Sequence, residues 1–263
     1  MIRVVSWLSG GIASFIAAWL VRNRLTDVIF IDIATQTRDT RRFAEEAATL
    51  LGFPPVPEGE EWTPGHLLVL ESLFFGDQFD VIHARRYING TGGAPCTGAL
   101  KRDVRKQWEF DNKRDSFTYV WGFDANEKHR INHTIDHNNH VQHLFPLAER
   151  GLSKEAAHAV CRDLGLRRAD LYDMGYPNAN CVGCVKGGMG YWNKIRIDFP
   201  EVFAEMAALE REIGATCLHD CNGKVWLDEL DPQRGRCDRI TVLPCGIACG
   251  VLEEWEQQEM EGY

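Results

Sequence analysis

The stretch Val4-Val5-Ser6-Trp7-Leu8-Ser9-Gly10-Gly11-Ile12-Ala13-Ser14-Phe15 decides how the chain reads. An apolar run of strand length, a turn with two adjacent glycines and a helix-like stretch over 15–21 follow one another. Two glycines let a backbone approach an anion closely, the first N–H groups of a helix have no internal partners, and the helix dipole favours negative charge there. Ser9 and Ser14 add hydroxyl donors. The segment therefore predicts a phosphate cradle with Ser9, Gly10, Gly11 and Ser14 as nucleotide contacts. No Gly-Lys-Ser/Thr follows, so this is not a Walker loop, and the third glycine of a dinucleotide fingerprint is missing. A tight turn between a buried strand and a buried helix would carry the same sequence, so the remaining segments decide.

Working outward, strand-like and helix-like segments alternate through the first half, the pattern of a parallel sheet with crossover helices. Residues 28–33 read as a second buried strand, 40–51 as a helix ended by Gly52, and 53–56 as a weaker strand broken by Pro54 and Pro55. A helix is expected over 64–75, and strands over 117–122 and 141–145. Beyond residue 150 the character changes to helices and cysteine-bearing loops, with Ser153 as one N-cap and Pro200 opening a helix that runs to Gly214. The expectation is an α/β fold: a parallel five-stranded sheet sandwiched by helices, residues 1–150, with a cysteine-bearing C-terminal lobe, residues 151–263.

The chain has 263 residues, 44% hydrophobic and 25% charged, ordinary for a soluble globular protein. Its 29 basic and 38 acidic side chains give a formal charge of -9, which argues against a surface that attracts polyanions everywhere but leaves a local basic channel open. No segment is long enough to span a membrane. The apolar stretch 12–21 is not a secretion signal, because Arg22 and Arg24 stand where a small-residue cleavage site would be needed. Nine cysteines, an odd number in a chain this long, point to metal, cluster or redox chemistry in a reducing cytoplasm rather than a disulfide framework.

Ligands of open parallel sheets bind beyond the carboxyl ends of the strands. Asp32, Thr35 and Thr37 fall after the second strand, and Gly122, Asp124, Glu127 and Arg130 after the 117–122 strand. The acidic groups suit ribose hydroxyls or a magnesium ion, and Arg130 suits phosphate; singly, each reads equally well as an N-cap or a solvated charge. Cys181 and Cys184 have the C-x-x-C spacing that brings two thiolates to one metal or cluster. Cys217, Cys221 and Cys237 with His219 leave a small zinc site open, and Cys161 reads as core. His129, His133 and His137 would share a face if helical, although Asp136-His137-Asn138-Asn139 reads as a loop. Lys101, Arg102, Arg105 and Lys106 form a basic strip that suits phosphates of a nucleic acid or nucleotide, or simply solvent.

Taken in order, these segments resemble the PP-loop adenine-nucleotide alpha hydrolases, most closely the phosphoadenosine phosphosulfate reductase-like branch with its bacterial and bacteriophage members. Ser9 to Ser14 resembles the pyrophosphate-binding loop, Phe30-Ile31-Asp32 with Thr35-Gln36-Thr37 the adenosine-side strand, and Cys96-Thr97-Gly98-Ala99-Leu100-Lys101 the C-x-x-x-L-K segment. Gly122 to Arg130 resembles G-x-x-x-x-E-x-x-R, and 171–176 running into Asn180-Cys181-Val182-Gly183-Cys184 resembles a stretch common in those members. Ala13 departs from the pattern, standing where many members carry Asp. The resemblance implies ATP or phosphoadenosine phosphosulfate as ligand, with magnesium. It also implies Cys96 as third ligand of an iron-sulfur cluster with Cys181 and Cys184, which would leave one iron free to hold sulfide; structural zinc is the alternative. Cys245-Gly246-Ile247 is similar to the C-terminal motif whose cysteine attacks sulfur in phosphosulfate reductases, with Pro244 and Ala248 replacing its Glu and His. Cys249 reads as fourth ligand or lid thiol.

The expected activity is ATP-dependent adenylation of a nucleobase or nucleic-acid backbone for thiolation, with Cys245, Arg130 and Lys101 as catalytic candidates. Phosphosulfate reduction and a catalytically inactive zinc-stabilised binding module are the alternatives. A sulfur donor or reductant protein is the expected partner, and a homo-oligomeric state is left open.

Overall fold

The computed structural model describes residues 1–90, 93–235 and 240. In chain order it contains β1 (Ile2–Leu8), α1 (Ile12–Leu20), β2 (Asp27–Ile31), α2 (Arg38–Leu50), β3 (Leu68–Leu70) and α3 (Gln78–Arg85). Then come α4 (Pro95–Thr97), a π-helical turn (Gly98–Arg102), α5 (Asp103–Asp111), β4 (Ser116–Val120), α6 (Lys128–His137), β5 (Gln142–Leu144) and α7 (Pro146–Glu149). The remaining elements are α8 (Lys154–Asp163), α9 (Asp170–Asp173), α10 (Met189–Asp198), α11 (Pro200–Ile213), β6 (Leu218–Asp220) and β7 (Gly223–Val225).

Five strands form one parallel sheet in the order β3-β2-β1-β4-β5, so the fold is α/β as the alternation predicts. Strands covered on both faces read as near-continuous apolar runs, and all five residues of β2 are buried, the charged one, Asp27, being paired with Arg3. The chain winds outward from β1 through β2 and β3, then returns to β1's other side with β4 and β5. The order therefore reverses between β1 and β4, where Val5 lies opposite Asp27 on one side and Tyr119 on the other.

Three expectations need correction. Residues 53–56 form no strand; the third strand is Leu68–Leu70, inside the segment read as a helix. Pro54 and Pro55 cannot donate to a ladder, whereas Leu67 to Leu70 are four apolar residues in a row, a pattern that periodicity alone cannot assign to helix or strand. Residues 128–137, read as running into a loop, are α6, ended at Asn138 by a bond from its N–H to the Thr134 carbonyl. Ser153 does cap α8, its hydroxyl accepting from the Ala156 N–H, and α11 does open on Pro200 and close on Gly214.

The chain divides into two compact units, each discontinuous in sequence. Met1–Asp32, Arg38–Glu71 and Val104–Gly175 make the first, which holds the whole parallel sheet. Its helix α1 is buried along most of its length and packs on α7 and α8. On the sheet, Trp7 meets Trp108 edge-on at 5.4 Å and Tyr119 at 5.8 Å. Ile33–Thr37, Ser72–Asp103 and the chain from Tyr176 make the second unit, in which α10 packs on α11, and α3 on α4 and α11. There Glu210 is fully buried and its two carboxylate oxygens accept the N–H groups of Cys217 at 2.6 Å and Leu227 at 2.8 Å. Among the described residues no helix is long and apolar enough to cross a membrane.

In the first unit Asp39 ties α2 to the segment before α9. It accepts from Arg42 at 2.7 Å, from Arg167 at 2.5 Å and from the Asp170 N–H at 2.8 Å. Arg42 first, then the Asp170 N–H and Arg167, pull its carboxyl down to about 2 against the opposing effect of burial. Because the folded value is depressed, the stabilisation is full above the ordinary carboxylate value of 3.8 and is lost as pH falls through about 2. Asp39→Asn is expected to cost roughly 1–2 kcal/mol at neutral pH. Urea melts from pH 7 down to pH about 3 should show the gap between the two proteins narrowing; a pH-independent gap would exclude the ionised clasp.

Candidate functional site

The glycine turn is placed by β1 and α1. Gly10 has φ +73°, a conformation that side chains avoid, and a Cβ there would run into Thr40 Cγ2. Gly11 is the N-cap of α1, has no side-chain cap and is followed by no acidic residue in the first turn, so the helix presents its positive end uncompensated. The Ser9 N–H donates to Ser14 Oγ at 3.1 Å, and the Ser14 hydroxyl donates to the Gly11 carbonyl at 2.8 Å. The two serine hydroxyls lie 3.1 Å apart, which fixes the shape of the turn.

Gly122, just beyond β4, closes on this turn. A Cβ at Gly122 would lie 2.6 Å from Ser14 N and 2.7 Å from Ala13 C, so only glycine lets the two segments meet. Tyr172 joins them: its hydroxyl stands 3.2 Å from where a Gly11 Cβ would be, and its ring meets His158 edge-on at 5.0 Å. Burial, then Lys154 and Arg168, push the His158 pKa down, which favours its neutral form. Sequence reasoning gave Tyr172 no role, since nothing local ties residue 172 to residue 11.

The charged rim residues are committed to one another. Asp32 is engaged by Arg41, which sequence reasoning also passed over. Asp124 accepts from the Asn126 N–H at 2.8 Å, while Glu127 accepts from the Asp124 N–H at 3.0 Å and pairs with Arg130. Arg130 is buried and lies 4.5 Å over the Phe123 ring. Of the basic strip, Arg105 turns inward to Glu109 at 2.9 Å and Asn138 at 2.7 Å, so it offers no charge to solvent.

Cys96, Cys181, Cys184, Cys217 and Cys221 lie in the second unit, and Cys161 in the first. Cys181 and Cys184 flank a turn in which Gly183 has φ +75° and a Cβ would lie 2.6 Å from Val202 Cγ1. Thr35, expected at the nucleotide rim, is placed at this loop instead: its carbonyl accepts from the Val182 N–H at 2.9 Å, and its hydroxyl bonds Gln78, whose amide donates to the Val182 carbonyl at 2.7 Å. The Tyr191 hydroxyl accepts from the Cys184 N–H at 2.9 Å and donates to the Cys181 carbonyl at 3.5 Å. Burial, then the Cys184 thiol, hold its pKa well above the usual range, so it remains a phenol. Asn180 reaches the Cys184 sulfur at 3.9 Å. Cys96 is half-buried on α4, and Lys101 is buried in the π-helical turn. Among the described residues no three His, Cys, Asp or Glu side chains are gathered to hold a metal ion. In α6, His133 and His137 stack at 3.8 Å. Cys237, Cys245 and Cys249 lie outside the described residues.

A groove of about 630 Å³ in the second unit is lined by Phe74, Phe79, Asp80, His83, Glu205 and Glu212 among others. Its carboxylates repel one another: burial, then Asp77 and Asp80, raise the Glu205 pKa. An anionic nucleotide has no place there. No protein-family model and no curated protein matches the chain.

Tyr191→Phe would leave the Cys184 N–H without its acceptor, and the expected loss is about 1–2 kcal/mol. Thermal melts would read that loss, and mass-spectrometric mapping would read faster alkylation of Cys184. Unchanged alkylation would mean that the phenol does not hold the loop.

Proposed function

We propose that the protein is an ATP-dependent enzyme of sulfur chemistry, a member of the PP-loop group by fold and chemistry, that adenylates an oxygen of a nucleobase or nucleic-acid backbone for its exchange with sulfur. One observation carries the reading. The uncapped, acid-free helix end with its glycine turn stands where the strand order reverses between β1 and β4, the place at which open parallel sheets take their ligands.

The chemistry follows from the groups at that place. An acceptor oxygen attacks the α-phosphorus of ATP, and the bond from that phosphorus to the α,β-bridging oxygen breaks, releasing pyrophosphate. The N–H groups of the turn and of the first turn of α1 take up the charge that develops on the leaving group. The Ser9, Ser14 and Tyr172 hydroxyls are the neutral donors nearest that turn. Asp32, Asp124, Glu127 and Arg130 act as an ordered wall for the ribose and phosphates, since their charges are already paired or hydrogen-bonded. Magnesium would accordingly be held largely by phosphate oxygens, as is usual for that ion. A sulfur nucleophile then displaces AMP, and a sulfur donor or reductant protein must supply it.

The donor chemistry of the second unit fits an iron-sulfur cluster. The thiolates are soft ligands on a loop fixed by Tyr191, Gln78 and Thr35. Structural zinc is the alternative occupant, since the same thiolates suit both. Bound, the cluster would supply thiophilic iron for handling inorganic sulfur. Lys101, buried five residues beyond Cys96, is the cation nearest to it in sequence. Thiols of this kind stay reduced in a cytoplasmic compartment. The rival reading, phosphosulfate reduction, rests on Cys245.

The test uses anaerobically purified protein with ATP labelled at the α-phosphate and a panel of nucleic acids. Pyrophosphate and AMP should be released in step with thiolation of the acceptor. Gly122→Ala should weaken ATP binding at least tenfold while leaving iron and sulfide content unchanged. ADP and phosphate as products, or a wild-type protein that binds no adenine nucleotide, would sink the proposal; sulfite from labelled phosphosulfate would install the rival.

A further inference from the structure

The groove of the second unit is built from two helical stripes. Glu205, Ala208, Leu209 and Glu212 follow one another at helical spacing along one face of α11, and Phe79, Asp80 and His83 do so along α3, which packs on it. Phe74 and Phe75, in the chain before α3, complete the lining. Phe79 and Leu209 are buried and form an apolar floor, and the small, exposed Ala208 between the two glutamates leaves room for close approach. Phe74 is 85% exposed and its neighbour Leu73 81%, an aromatic and an aliphatic side chain held in water beside that floor.

The charge on the groove is one-sided. Glu212 is answered by Arg86 at 2.9 Å, with His83 at 3.2 Å. Towards the start of α3 the acids have no such answer. Asp77 is spent as the N-cap of α3, accepting from the Phe79 and Asp80 N–H groups at 2.8 and 3.1 Å, and Asp80 accepts from the Gly76 N–H at 2.8 Å. Among the described residues neither they nor Glu205 form an ion pair. The raised pKa of Glu205, caused by burial and then by Asp77 and Asp80, has the same origin. An apolar floor with uncompensated carboxylates at one end repels phosphate and favours a cation joined to an apolar surface. From Glu205 to Glu212 the face of α11 extends about two turns, ~10 Å, which matches a short helix laid in the groove better than a compact cation.

We propose that this groove docks a basic amphipathic helix of a partner protein, with apolar side chains on the Phe79 and Leu209 floor against Phe74, and Lys or Arg residues at the end beside Asp80 and Glu205. The docking is independent of the nucleotide reading and of any metal, since neither the glycine turn nor a cysteine lines the groove. The same carboxylates turn nucleic acid away from it.

The experiment measures the fluorescence anisotropy of two labelled synthetic peptides titrated with the full chain. Both are leucine- and alanine-rich helices of about three turns; one ends in lysines and the other in glutamates. The lysine-ended peptide should bind and the glutamate-ended one should not. Phe74→Ser and Glu205→Lys, both at exposed positions and so expected to melt as wild type does, should each weaken the lysine-ended peptide at least about tenfold. Glu205→Lys should in exchange gain affinity for the glutamate-ended peptide. Glu60→Lys, an equal charge reversal at an exposed site of the first unit, should bind like wild type. Equal binding of the two peptides, binding of neither, or unchanged affinity in Phe74→Ser overturns the proposal. Spermine binding that Glu205→Lys abolishes and Phe74→Ser leaves intact would overturn it too, by assigning the groove to a small polycation.

Discussion

The contact that the first unit depends on is the one between Gly122 and the Ala13–Ser14 peptide. Two strands adjacent in a parallel sheet send their chains out from the same edge, and the crossover rules carry those chains to opposite sides at the point where strand order reverses. A crevice there is the default. Here the chain leaving β4 instead presses backbone to backbone against the start of α1, which narrows the crevice to the helix end itself. The binding surface that remains is made of peptide N–H groups, with the serine hydroxyls and Tyr172 at its margin.

In the second unit two buried polar side chains do the comparable work. Glu210 and Tyr191 are each withdrawn from solvent and each bonded to two backbone groups, so neither carries the penalty of an unpaired buried polar group. Each fixes a segment that bears cysteine. A phenol suits the Cys184 side well, since it supplies both an acceptor for the Cys184 N–H and a donor to the Cys181 carbonyl.

The sheet and its order of elements were legible because β1, β2 and β4 are apolar runs bounded by glycine and polar turns, and because caps such as Ser153 and Pro200 act locally. The third strand was not, since Leu67-Leu68-Val69-Leu70 carries no period and the helix-like spacing around it is accidental. Likewise α6 was read partly as loop because Asp136-His137-Asn138 has turn chemistry, which in fact ends the helix instead of preventing it. The candidate sites divide the same way. The glycine turn and the C-x-x-C pair are local patterns and can be read directly. Tyr172 at Gly11 and Thr35 at Val182 are meetings of residues 161 and 147 positions apart in sequence, and only the folded chain reports them.

The charge balance then takes on a definite meaning. A chain of net charge -9 that binds a polyanionic nucleotide would ordinarily need compensating cations at the site. Here Arg41, Arg105 and Arg130 are all spent on carboxylates, and the helix end carries no acidic residue. The positive potential at the helix end thus comes from oriented dipoles, which are fixed in direction by the fold. A helix end built in this way offers an anion donors of fixed direction rather than mobile side-chain charge.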